Sequence, residues 1–189
     1  MYKIKGVVIA IIGLTVLILL ISLLMPSTVV INRTVNVYGN PMPVVNEVKS
    51  LAGWRNWYLP LVGEAVLEGK NTNGKDYLKW ERNGKVYILE EVELYDSGIR
   101  VALRPPNEKA VLIDVIMEKV GSQHQLLWRA VHKIKWYPWE KFAGLFINDL
   151  AGEGYQNTLE NLIKYTESKS SATMGMKFFP SSPAITLYR

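Results

Sequence analysis

The sequence predicts an α+β domain attached to one apolar N-terminal helix, and three observations support this prediction. Residues 136–167 carry their apolar side chains at the spacing of one helix face. The segments before them read as short β-strands separated by turn residues. Near the N-terminus, Gly6 to Met25 form an uncharged run rich in Val, Ile and Leu. Without this run and a polar C-terminal tail, about 140 of the 189 residues remain, enough for one domain with a hydrophobic core.

The composition limits the classes of function. The formal net charge of +5 is modest and no block of Lys and Arg is present, so the sequence predicts no nucleic-acid partner. The chain contains no cysteine, which excludes disulfides and thiolate metal sites. Its two histidines, His124 and His132, are too few for a histidine-rich metal centre. We therefore predict neither a metal nor a cofactor.

The N-terminal run predicts a membrane anchor. As a helix, Gly6–Met25 would span about 30 Å, the hydrocarbon thickness of a bilayer. No small-residue cleavage pattern ends it, which favours an uncleaved single-pass anchor over a cleaved signal peptide or a buried core helix. Lys3 and Lys5 precede the run and only Arg33 follows it closely. This bias places the N-terminus in the cytoplasm and the domain outside, as in a bacterial inner membrane.

The first elements of the domain follow from local patterns. Thr28–Tyr38 is rich in β-branched residues and predicts the first strand. Pro43 suits the first turn of a short helix that runs to about Leu51, and the aromatic segment Gly53–Pro60 follows it. Six further strand candidates, each bounded by turn residues, lie at about 64–69, 75–82, 85–95, 98–104, 109–119 and 122–135.

The clearest turn is the Asn-Gly pair at residues 83–84, because this dipeptide favours a two-residue hairpin. It sets the register of the flanking strands, so that Trp80 lies opposite Tyr87 and Leu78 lies opposite Leu89. The face that carries these four side chains is predicted to point inward.

Beyond Leu89 the alternation leads to a conflict. If it continues unchanged, Glu91 also points inward. A bulge at Glu90 and Glu91 would reverse the alternation and bring Val92 and Leu94 inward instead. We favour the bulge because it buries aliphatic side chains rather than a charge.

The last periodic segment predicts a long helix that needs a large surface to cover it. Gly152 and Gly154 predict a bend or short break at about 151–155. The apolar face comprises Trp139, Phe142, Ala143, Phe146, Ile147, Leu150, Tyr155, Leu159, Leu162, Ile163 and Thr166.

Three parts of the chain are therefore predicted. Residues 1–26 form a cytoplasmic stub and transmembrane anchor, and residues 27–167 form the folded domain. Residues 168–189 are rich in Ser and lack periodicity, which predicts a mostly disordered tail.

The order of one strand, short helices, six strands and a long helix is that of the helix-grip fold. Four segments extend the likeness, namely the aromatic Gly53–Pro60, the Gly-Lys-x-Tyr-x-x-Trp strand at Gly74–Trp80, the Leu-Trp pair at 127–128 and the closing stretch Lys141–Tyr165. With them, residues 28–167 resemble the START-like (SRPBCC) superfamily, and most closely the bacterial polyketide cyclase/dehydrase and lipid-transport-type proteins. The resemblance implies a strongly curved antiparallel sheet around the C-terminal helix, with a hydrophobic cavity between them. Its motifs are structural, and members either bind lipids, sterols and polyketides or act as enzymes in the same cavity.

Several large side chains are expected to converge on that cavity. So many aromatic rings on facing surfaces suit a pocket for a flat or long apolar ligand, although each ring taken alone fits a core position. His132 is also a candidate general base, but no catalytic constellation stands out. The candidate ligand-binding residues are Trp54, Trp57, Trp80, Tyr87, Trp128, His132, Phe142 and Phe146.

The sequence thus favours a membrane-tethered, non-catalytic module that binds a lipid or another hydrophobic small molecule. An enzyme of the cyclase/dehydrase kind is one alternative, and it requires at least two ionisable groups in the cavity, for which His132 and Glu91 are the candidates. An accessory protein whose cavity is filled by its own side chains is the other.

Overall fold

An antiparallel sheet of seven strands organises residues 2–176, the part of the chain that this computed structural model describes, with side chains described for residues 5–171. The elements are α1 (Tyr2–Leu24), β1 (Thr28–Val37), α2 (Met42–Lys49), a 3₁₀ helix (Leu51–Asn56), β2 (Val66–Lys70), β3 (Asp76–Arg82), β4 (Lys85–Tyr95), β5 (Gly98–Arg104), β6 (Val111–Val120), β7 (Gln123–Lys133), α3 (Pro138–Gly144) and α4 (Ile147–Met176). The strand order is β1-β7-β6-β5-β4-β3-β2, so the first strand pairs with the last.

Two helices cover one face of this curved sheet. Helix α4 contacts β1 and β7, while α2 contacts β5, β6 and α4. This is the helix-grip arrangement that the sequence predicts, with the C-terminal helix held against the sheet. Each of the six later strands begins and ends within two residues of its predicted bounds.

The covered face is built by strict alternation along the strands. In β6, for example, Val111, Ile113, Val115 and Met117 are all buried on that face. The predicted hairpin register is confirmed, because Leu78 pairs with Leu89 and Trp80 pairs with Tyr87 in the β3–β4 ladder.

Strand β4 contains a bulge, but the prediction that this bulge turns Val92 and Leu94 inward is wrong. The register shifts between Glu91 and Glu93, and Glu91 still pairs with the fully buried Val101 on the inner face. Its side chain is only 10% exposed and lies 3.2 Å from the Lys75 ammonium, measured from Oε1 to Nζ. Val92 and Leu94, which the bulge was expected to bury, are both exposed. The half-exposed Lys75 supplies an ion-pair partner for the largely buried Glu91 carboxylate. The residue pattern of β4 alone does not reveal this partner.

The predicted break at 151–155 is also wrong. Helix α4 is continuous through that segment, and the chain is interrupted earlier, between Gly144 and Ile147. Gly152 instead makes room for Arg33 of β1, whose Nε donates a hydrogen bond to the Gly152 carbonyl at 3.1 Å. A Cβ at this position would lie 2.0 Å from Arg33 Nη2. The glycine therefore serves a contact between helix and sheet.

Both ends of the described chain are helical. Helix α4 continues to Met176, so residues 168–176 are helical rather than disordered, and residues 177–189 of the predicted tail lie outside the described residues. In α1, residues Lys5–Leu24 form a helix that is long and apolar enough to cross a membrane, a property that a signal sequence shares.

Candidate ligand-binding site

Trp128 lies at the centre of the aromatic interior. Strand β7 places it on the inner face between Leu126 and Ala130, and it has no exposed surface. Two tyrosine rings stack near-parallel to it, Tyr58 at 5.9 Å and Tyr155 at 5.4 Å between ring centroids. Tyr58 follows the 3₁₀ helix and Tyr155 belongs to α4, so this stack joins three distant segments of the chain.

Trp54 and Trp57 extend the same cluster. Their ring centroids lie 4.6 Å apart, and Trp54 lies 5.8 Å from Trp128. The Trp54 indole donates a hydrogen bond to the Val48 carbonyl at 2.8 Å, and the Trp57 carbonyl accepts one from Asn161 of α4 at 2.7 Å. None of the three tryptophans has exposed surface. They fill the deep interior and pack on one another.

The N–H groups of two of these indoles are buried in an energetically unfavourable way. The Nε1 atoms of Trp57 and Trp128 are buried and have no hydrogen-bond acceptor among the described residues. A buried donor without an acceptor costs about 1–3 kcal/mol. Aromatic packing therefore outweighs hydrogen bonding at this point in the core.

His132 and Tyr155 form the polar edge of the cluster. The His132 Nε2 and the Tyr155 hydroxyl lie 3.0 Å apart. Burial raises the pKa of Tyr155 to about 12, so the phenol keeps its proton and can donate a hydrogen bond to Nε2. Burial also lowers the pKa of His132 and so favours the neutral imidazole, in which Nε2 accepts this bond when the ring proton is on Nδ1.

The lowered pKa of His132 makes a prediction about stability. The unfolded chain binds the proton more readily, so this group contributes stability that is present above its ordinary pKa of 6.5 and is lost as the pH falls through its lower folded pKa. Acidification from about pH 7 to about pH 5 should therefore destabilise the wild type more than a His132→Gln variant. Urea unfolding at both pH values measures the difference, and equal losses in the two proteins would contradict the prediction.

A cavity of about 420 Å³ opens beside His132, at the end of the sheet nearest α3. Its apolar wall consists of Val111, Ile134 and Ile147. Its polar wall is mainly cationic, with four lysines against two glutamates. These charged residues are Lys85, Lys109, Lys133, Lys135, Glu108 and Glu140.

The predicted site residues are thus divided among several places. Trp80 and Tyr87 stack on each other at 5.4 Å in the β3–β4 hairpin, apart from the cavity. Phe142 is partly buried in α3 and does not line this cavity. Phe146 is 59% exposed, so the expectation that it faces the interior is wrong. Phe146 lies in the interruption between α3 and α4, so the helical period of the predicted face does not apply to it.

Several residues of the site were not identified from the sequence. Tyr155 occurs on the predicted apolar face, and its spacing from Leu159 and Leu162, both fully buried, marks it as an inward hydroxyl. The lysines of the cavity come from three separate segments, so no local pattern connects them.

Comparisons with known proteins bear on the fold. No protein-family model and no curated protein matches this chain. Among solved structures, a protein of unknown function from Staphylococcus aureus is similar, with a TM-score of 0.59, 15% identity and coverage of 76% of this chain and 96% of that one. The Zhui aromatase/cyclase from a Streptomyces species is similar at a TM-score of 0.57 and 12% identity, over 76% of this chain and 96% of that chain. The di-domain ARO/CYC StfQ from the steffimycin biosynthetic pathway matches over 76% of this chain and 52% of its own, at a TM-score of 0.56 and 11% identity.

Proposed function

We propose that this protein holds a lipid or another amphiphilic small molecule in the cavity beside His132, next to the membrane, without altering it chemically. The main observation in support of this proposal is the cavity itself. Its volume of about 420 Å³ falls within the range of small-molecule sites, about 300–1,000 Å³. Two solved structures that share this fold are an aromatase/cyclase and a di-domain ARO/CYC, which supports a role with a hydrophobic small molecule here.

The charges around the cavity favour a particular class of ligand. An apolar wall beside an excess of lysines suits an anionic amphiphile, in which an acyl or polycyclic body carries a carboxylate or phosphate head. Lys135 already has an anionic neighbour, since its Nζ lies 3.8 Å from Glu140. The remaining lysines are free of such short ion pairs in the described part of the chain, and an anionic head would interact favourably with them.

The same proposal includes the anchor. With α1 in the bilayer and the N-terminus in the cytoplasm, the folded domain that begins at residue 27 would lie outside, and β1 starts only at Thr28. This short connection keeps the cavity close to the lipid surface. A ligand that leaves the bilayer then meets the site at high effective concentration.

A matched pair of variants tests binding. Ile147 and Ile163 are half-buried isoleucines of α4, and Ile147 lines the proposed cavity while Ile163 lines a separate hollow of about 260 Å³. Ile147→Trp should fill the cavity and weaken binding of a fluorescent anionic fatty acid, such as parinaric acid, by at least about tenfold, or about 1.4 kcal/mol. Ile163→Trp should leave the affinity within about twofold, and equal affinities for all three proteins would contradict the proposal.

The native ligand can be sought directly. Full-length protein purified in mild detergent is expected to carry a lipid that mass spectrometry detects. A preparation that contains no such molecule, and whose melting temperature does not change with added fatty acid or lysophospholipid, would argue against a binding role. It would favour the accessory alternative, because the aromatic cluster already fills the deep interior.

One observation supports the alternative that the protein is an enzyme. His132 is a neutral base beside a hydroxyl donor, and it lines the cavity. The other predicted ionisable group, Glu91, faces inward but pairs with Lys75 and does not line the cavity. A ligand recovered with unchanged mass after incubation with the protein supports binding alone, whereas loss of water would indicate a dehydrase.

A further inference from the structure

A continuous exposed apolar surface follows β7, at residues 136–150. It includes Trp139, Phe146 and Leu150 of the predicted apolar face, all of which are exposed. Its large side chains are 57–80% exposed, far more than is usual for a helix that packs on a core. They are Trp136, Trp139, Leu145, Phe146 and Leu150.

We call this surface the 136–150 face, and its first part, residues 136–139, adjoins α1. A hollow of about 320 Å³ is lined on one side by Thr15, Ile18 and Leu19 and on the other by residues 136–139. Within that segment, Tyr137 and Trp139 stack with parallel rings at 5.0 Å. The apolar helix and the aromatic segment therefore lie side by side.

Lys141 fixes this arrangement. Its side chain is buried, and its Nζ donates hydrogen bonds to the Met25 carbonyl at 2.9 Å and to the Ser27 hydroxyl at 2.5 Å. Met25 directly follows α1, where a cation is favoured by the carbonyl groups that end a helix. Helix α3 is thus tied to the point where α1 ends and the domain begins.

We propose that the 136–150 face is a second membrane contact, which enters the headgroup and upper acyl region of the bilayer that α1 crosses. This inference rests on the proposed anchoring of α1. The α1 residues of the hollow, Thr15 to Leu19, lie five to nine residues before the end of α1 at Leu24, or about 7–14 Å along the helix axis. This range begins at the depth of about 5–10 Å that interfacial helices reach. Tryptophan and tyrosine favour this boundary, because one part of each side chain is apolar and the other forms hydrogen bonds.

The contact has a consequence for the cavity. Glu140 of α3 and Ile147 of α4 line the 420 Å³ cavity and also lie within the 136–150 segment. A bilayer bound to this face would therefore lie at the mouth of the cavity, and its anionic headgroups would be near Lys133 and Lys135. The proposed ligand could then pass between bilayer and cavity with little exposure to water.

Because the chain lacks cysteine, single nitroxide labels can test the contact in the full-length protein. Phe146→Cys and Leu150→Cys report on the face, and Leu14→Cys reports on α1. Ser122→Cys is the aqueous control, since it precedes β7 while the face follows it, and the 11 residues of β7 span about 36 Å. The labelled proteins are placed in vesicles of phosphatidylcholine with a minority of phosphatidylglycerol. The accessibility of each label to oxygen is compared with its accessibility to a water-soluble nickel chelate.

The expected result is a several-fold higher ratio of oxygen to nickel accessibility at Phe146 and Leu150 than at Ser122. If both positions resemble Ser122 while Leu14 is lipid-exposed, α1 is an anchor and the second contact is refuted. Protection from both reagents would indicate a protein partner or a second copy, which also overturns the proposal. An aqueous signal at Leu14 removes its premise, and the fatty-acid assay in detergent still tests ligand binding independently.

Tryptophan fluorescence provides a second measurement that needs no label. Trp136 and Trp139 are exposed, whereas the other four tryptophans are buried. Acyl-brominated phosphatidylcholine should quench the wild type, and a Trp136→Phe/Trp139→Phe variant should lose most of that quenching. Equal quenching in both proteins would contradict the proposal.

Discussion

Replacing Trp128 by alanine should lower the free energy of unfolding by about 3–5 kcal/mol, the range observed when a buried aromatic residue is truncated. The ring is fully buried and stacks with Tyr58 and Tyr155, so its removal leaves a cavity bounded by three segments of the chain. A loss of this size is a large fraction of the stability of a single domain. Urea unfolding of the full-length protein in detergent, followed by far-ultraviolet circular dichroism, measures it without relying on the deleted fluorophore.

Phenylalanine variants separate packing from hydrogen bonding in the same cluster. The Trp128 Nε1 has no acceptor in the described part of the chain, so Trp128→Phe removes volume without breaking a hydrogen bond. Trp54→Phe also leaves the Val48 carbonyl without its donor, which should cost about 1 kcal/mol more. A Trp128→Ala loss below about 1 kcal/mol would show that the ring does not have the packed position described here.

Gly98→Ala is expected to have the second large effect, a loss of about 1–3 kcal/mol or more. A Cβ at this buried glycine would lie 2.0 Å from the Val115 carbonyl oxygen and 2.9 Å from the Ile116 Cα. Both atoms belong to the backbone of the neighbouring strand β6, which cannot move away without disturbing the β5–β6 ladder. The absence of a side chain at this position therefore permits the close approach of the two strands.

Gly154→Ala is the matched control for this substitution. No atom outside its local helix lies within 4 Å of a Cβ at Gly154, which is exposed in the interior of α4. Alanine there should stabilise the protein by about 0.5–1 kcal/mol, because glycine is the poorer helix former. Thermal or urea unfolding of both variants gives the comparison. Two shifts of the same sign and size would refute the steric argument at Gly98.

The elements that were predicted well depend on neighbours in sequence. Strand positions follow from the alternation of apolar and polar side chains and from turn residues. The Asn-Gly pair at 83–84 predicts the β3–β4 register without any tertiary contact. The order of elements then indicated the helix-grip fold. The apolar α1 is likewise a property of composition and length.

The corrected predictions share a dependence on distant partners. Glu91 pairs with Lys75 on the inner face, and Gly152 leaves room for the Arg33 guanidinium rather than marking a break in α4. Trp54, Trp57 and Trp128 were predicted to bind a ligand, and only their mutual distances show that they pack on one another in the buried interior.

By itself, therefore, the sequence determined which segments form strands and helices and which side chains share a face. Periodicity defines a face because it arises from the geometry of a single element. Only the tertiary structure decided what covers each face, because coverage depends on contacts between segments that are far apart in the chain. The apolar residues between 139 and 166 show the difference, since Leu159 and Leu162 are fully buried whereas Phe146 and Leu150 are exposed.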